Sequence, residues 1–151
     1  MSDVARATSG GTRNLAPPSG HPPPRWARLP DGTTLDLEAL AAEACRRYRA
    51  AYPDEAGRYG DAGVAWCVHD NQHLINWAVL EALGFGVMDG DVSWLAGILE
   101  ARDFPLDRLA LDLDLAADVV AERAPDAPAA VAEALRRSAA LVRATPSFRA
   151  G

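Results

Sequence analysis

From Leu37 onward, apolar side chains return every three or four residues, the spacing that lines one face of a helix. Leu37, Leu40, Ala41, Ala44 and Tyr48 mark a first helix over roughly Asp36–Ala51, with Thr33, Thr34 or Asp36 available as N-cap and Pro53 as its stop. A second and longer helix is predicted over Asp61–Leu83, closed by Gly84. Trp94, Leu95, Ile98 and Leu99 point inward from a third, Asp91–Arg102. Pro105 opens a fourth, with Leu106, Leu109, Ala110, Leu113, Ala117 and Val120 as its stripe. The fifth runs from Asp126 or Ala127 to Ala144 on Val131, Leu135, Ala139 and Val142. No segment reads as a strand bounded by turn signals. The expected fold is therefore all-α, a single bundle of about five helices over residues 34–151, because stripes on short helices are buried only against one another.

Residues 1–33 read differently. Six of the eleven prolines fall before residue 31, among them Pro17-Pro18 and Pro22-Pro23-Pro24, and no apolar period runs through them. Ordering such a stretch gains too little burial to offset its entropy, so a disordered Pro/Gly-rich tail is expected. Trp26 gives that tail one side chain suited to docking on a partner or folding back on the body.

Charge narrows the classes of function. All fifteen basic residues are arginine, against twenty-one acids, for a net −6; alanine is abundant, as in GC-rich bacterial genomes. An acidic body repels phosphate backbones, so no nucleic-acid partner is expected. No apolar run reaches membrane-spanning length, and the opening residues lack the apolar segment of a secretory signal. With two cysteines, Cys45 and Cys67, each within a helical stretch, the expectation is a cytoplasmic protein with buried, inert thiols.

Candidate chemistry concentrates in the longest helix, in Trp66-Cys67-Val68-His69-Asp70-Asn71-Gln72-His73-Leu74-Ile75-Asn76-Trp77. Trp66, Asp70, His73, Trp77 and Leu80 fall along one line of the helix. Aromatic walls with a convergent polar group suit a small aromatic or hydrophobic ligand, so Trp66, Asp70, His73 and Trp77 are the expected binding residues. Asp70, one turn before His73, is placed to accept an imidazole N–H and fix its tautomer. A competing reading takes His69 and His73, four apart, as ligands to a metal or haem in a small enzyme, with Glu43, Cys45, Cys67, Glu81 or an aspartate from another helix completing the set. The di-metal pattern of bundles needs a second carboxylate-x-x-His copy, which is absent. Asp107, Asp114, Asp118 and Glu122 share a face of the fourth helix, as an acid or cation site or as a solvated surface. No catalytic residue is assigned.

The stretch from Cys67 to Val120 contains C-x-H-D-x-x-H-L-x-x-W-x-x-x-E-A-L-x-x-G, then D-x-x-W-L-x-x-I-L-E-A-R-D-x-P, then L-x-L-D-L-x-A-D-V. It resembles the helical sensory segment that precedes cobalamin-binding domains in bacterial regulators, and also the globin-like helical sensor domains of stress-signalling proteins. His73-Leu74 and Ala101-Arg102 before Pro105 carry most of the likeness. There is no Asp-x-His-x-x-Gly, so cobalamin binding is not implied. The resemblance implies a stand-alone helical sensor or adaptor. The resulting expectation is a non-enzymatic bacterial regulatory protein that binds a small ligand and a protein partner. Its alternatives are the metal- or haem-dependent enzyme and a cargo or scaffold protein docked by its Pro-rich tail.

Overall fold

A computed structural model describes residues 22–149. Most of the expected tail, residues 1–21, lies outside the described residues, as do residues 150 and 151. Five helices follow a two-stranded hairpin: β1 Trp26–Arg28, β2 Thr34–Asp36, α1 Leu37–Ala51, α2 Glu55–Ala82, α3 Asp89–Ala101, α4 Leu106–Arg123 and α5 Ala129–Ala144. The all-α bundle read from the stripes is the observed architecture. Its centre is the pairing of α4 with α5, with α2 packed against α1 and α5, and α1 against α4. The stripe residues of α1 and α5 are buried as expected, and on α4 Leu109, Ala110, Leu113, Ala117 and Val120 are too.

The hairpin corrects the lower boundary of the body. Composition places residues 22–33 in the tail, yet Ala27 pairs with Leu35 across two antiparallel strands, and Ala27, Leu29 and Leu35 are core residues. Tertiary burial decides this, because each strand has three residues and so too short an alternation to recognise. Strand β2 runs directly into α1, where the Asp36 carboxylate accepts from the Ala39 amide at 2.9 Å and caps the helix. Gln72 on α2 donates to the Pro24 carbonyl at 3.0 Å, which ties the incoming chain to the bundle. Trp26 itself is 56% exposed.

Two further expectations are corrected. Trp94 is 48% exposed although its neighbours Leu95 and Leu99 are buried, so the inward face of α3 is narrower than its composition suggested. Helix α2 begins at Glu55, six residues before the expected start, and is broken at Gly60, whose φ of 62° and ψ of −156° are outside the helical region. The expected start at Asp61 is the first residue after that break.

The cysteines are also not free thiols. Cys45 on α1 and Cys67 on α2 form a disulfide, their Cα atoms 5.9 Å apart, a separation that a disulfide spans without distortion. The bond joins the two helices covalently. None of the helices among the described residues is long and apolar enough to cross a membrane.

Candidate functional site

The break at Gly60 divides α2 into a short N-terminal arm, residues 55–59, and the long rod that follows. The arm is held by ion pairs. Glu55 is buried and accepts from the Tyr48 hydroxyl at 2.7 Å and from Arg108 Nη1 at 2.7 Å. Arg108 also reaches Asp54 at 2.9 Å, and its guanidinium lies 4.1 Å from the centre of the Tyr52 ring. Burial and the adjacent Glu55 carboxylate push the Tyr48 hydroxyl well above the usual phenol range, so it stays a donor. Gly63 faces Tyr59 so closely that a Cβ there would stand 2.5 Å from the Tyr59 Cβ, and a glycine is needed for the close approach.

Between this arm, the rod of α2, the end of α3 and the start of α4 lies a cavity of about 50 Å³. Tyr59, Trp66, Phe104, Leu74, Leu99 and Leu109 form its apolar wall, and Tyr59 and Phe104 meet with ring centres 6.0 Å apart. Its polar side is made by Asp70, Asn71 and Asp112, with Tyr48 and Glu55 at the arm and Cys67 of the disulfide between them.

Asn71 and Asp112 are the buried polar pair at the centre of this wall. Asn71 Nδ2 donates to Asp112 Oδ1 at 2.9 Å and to the Cys67 carbonyl at 3.0 Å, and it touches both disulfide sulfurs. With the amide nitrogen committed to acceptors, Asn71 Oδ1 is left buried without a donor. Leaving such an oxygen unpaired is costly, and it is the kind of atom that a bound molecule satisfies. Burial pushes the Asp112 carboxyl up to about 7; the Asn71 bond opposes that rise, and the carboxylates Asp70 and Glu55 add to it. Burial also raises Asp70, against the pull of His69, His73 and Arg102.

The four expected binding residues separate. Trp66 and Asp70 line the cavity. His73 and Trp77 sit farther along the rod, outside the cavity lining, with their rings 6.0 Å apart; Trp77 is partly buried against the core. Asp70 is 3.1 Å from Nδ1 of His69, the preceding residue, and His73 one turn on also acts electrostatically on it. His69 and His73 do meet, edge to face at 4.8 Å. Among the described residues, however, no group of three or more His, Cys, Asp or Glu side chains is arranged to hold a metal ion. The further ligands considered are engaged elsewhere: Glu43 by Arg46 and Arg47, Glu81 by Arg137 and the Met88 amide, and both cysteines by each other. Three of the four acids on the outer face of α4 are likewise paired, Asp114 to Arg143, Asp118 to Arg136 and Glu122 to Arg47, each at 2.7–2.8 Å.

Asp112 and Asn71 are what the sequence reading missed. Asp112 stands among five acids of one helix, and only its position between stripe residues Leu109 and Leu113 hints that it turns inward. No protein family, curated protein or solved structure matches the chain.

Proposed function

We propose that the chain is a non-enzymatic, ligand-binding helical protein of the regulatory or sensor kind. The observation that carries this reading is the cavity in which Trp66, Tyr59 and Phe104 face the buried Asn71–Asp112 pair. A largely apolar enclosure with a few convergent polar atoms is how small-molecule sites are built. The unpaired Asn71 Oδ1 supports an occupant that supplies a donor. Trp66 and Asp70 remain binding residues in this proposal; His73 and Trp77 act behind them, by packing on the rod that carries them. The resemblance of Cys67–Val120 to helical sensory segments adds to it. A protein partner would read the bound state from the outer surface, where Leu80, Phe85, Val87 and Trp94 are exposed.

The test is a screen of small aromatic and hydrophobic compounds, extended down to fragments of a few heavy atoms to suit a cavity of about 50 Å³, by thermal shift and by NMR of the labelled full chain. Binding is expected to raise Tm and to move the resonances of Trp66, Asn71 and Phe104 together. Leu99→Phe, which adds bulk at the cavity wall, is expected to abolish both effects. Compounds that bind but leave those three residues unmoved, or that bind Leu99→Phe equally well, would overturn the assignment.

A further inference from the structure

We infer that the occupant of this cavity is a small organic cation, an amine whose N–H groups donate to Asn71 Oδ1 and the Asp112 carboxylate while its apolar part lies against Trp66, Tyr59 and Phe104. The inference rests on the ligand-pocket reading and names the class of ligand.

Three observations lead to it. First, the polar side of the cavity has more acceptors than donors. Asn71 is 1% exposed, its nitrogen is spent on protein acceptors and its oxygen has no donor. Second, the cations nearby are engaged at the rim. Arg108 serves Asp54 and Glu55, and the Arg102 guanidinium lies 5.5 Å from the centre of the Trp66 ring. The carboxylates of Asp70 and Glu55 on α2 act on Asp112, Asp70 being held by His69 and Glu55 by Arg108 of Asp112's own helix, while Tyr48 of α1 and Asn71 of α2 face it as neutral groups. A positive ligand would relieve that repulsion. Third, the walls are aromatic. A ring face is electron-rich, so Trp66, Tyr59 and Phe104 suit an ammonium as well as a hydrocarbon. A neutral hydrophobe would use the walls and leave Asn71 Oδ1 unpaired; an anion would face Asp70, Asp112 and Glu55 together.

Proton linkage follows from the same groups. With its carboxyl pushed up to about 7, Asp112 must release a proton to face a cation, so amine affinity should increase as pH rises through that range. The experiment titrates full-length protein with methylamine and ethylamine, and with methanol and ethanol as neutral counterparts, all small enough for a cavity of about 50 Å³, at pH 5.5 and 8, following the Asn71 side-chain amide by NMR. The expected result is that an amine binds at least about tenfold more tightly than its neutral counterpart at pH 8, with the advantage lost at pH 5.5 and in Asp112→Asn. If Asp112→Asn does not fold, the pH series on the wild-type chain gives the same comparison. Neutral compounds that bind as tightly as the amines at pH 8 would overturn the cation inference and leave the pocket standing. If neither amines nor neutral compounds move Asn71, the inference fails, and the compound screen then decides whether the pocket reading fails with it.

Discussion

Asp112 is a carboxyl group buried with a single amide donor and two other carboxylates in its surroundings, and its protonation is coupled to folding. Its folded value, about 7, lies above the unfolded one near 3.8. Its contribution to stability is therefore fully present below about pH 4 and is lost as pH rises toward and through 7. A shift of that size corresponds to roughly 4 kcal/mol at alkaline pH, as an order of magnitude. Asp112→Asn keeps an oxygen for Asn71 and removes the titration. Its Tm is expected to exceed that of the wild type at pH 8, with the gap shrinking to about a quarter at pH 4.5, a change that melts across that range would read directly. Asp112 also marks the limit of sequence reading at this scale. The period of α4 shows that its leucines face inward, but which of its acids does so depends on where α2 lies, and that is a tertiary fact. The same holds for the disulfide: Cys45 and Cys67 are 22 residues apart, and only the crossing of their helices brings them together.

At the scale of elements, α2 shows how a helix can be longer than its sequence suggests. Gly60 breaks the helix, but the arm before it is kept helical by Tyr48 and Arg108 on neighbouring elements. Two predictions follow from this construction. Gly60→Ala meets no atom within 4 Å, so its cost is conformational, about 1–3 kcal/mol for a side chain placed at that φ and ψ, measured by urea unfolding. Arg108→Met removes the cation from buried Glu55. It is expected to destabilise the fold by about 3–5 kcal/mol, with amide exchange accelerated over residues 55–59 more than over α5. Uniform acceleration would show that the arm opens only when the whole bundle does. By contrast, the register of α1, α4 and α5 was legible throughout, because their stripes are continuous and uninterrupted by glycine.

For the whole molecule, the fold class and the number of helices came from periodicity alone, while the place where the folded body starts did not. Removing residues 1–33 would strip Ala27 and Leu29 from the core and leave Leu35 without its pairing partner. Such a truncation is expected to lose several kcal/mol at about 25 cal/mol per Å² of apolar surface exposed, seen as a lower urea midpoint than the full chain. The boundary was illegible because a proline-rich approach and a three-residue strand both look like linker until the surface that receives them is known.

The disulfide has a last consequence. The loop it closes, from Cys45 to Cys67, contains the α1–α2 turn, the arm, Gly60 and the aromatic residues Tyr48, Tyr59 and Trp66. Every covalent path from that loop to the rest of the chain passes through one staple between two helices. Loss of the Glu55–Arg108 contact would leave α1 and α2 joined, so an oxidised chain can lose the arm without losing the pairing of the two helices. Reduction would remove the staple itself: it would release the denatured-state constraint of a loop of this length, about 3 kcal/mol, so in a reduced chain opening of the arm is expected to go together with separation of the helices behind it.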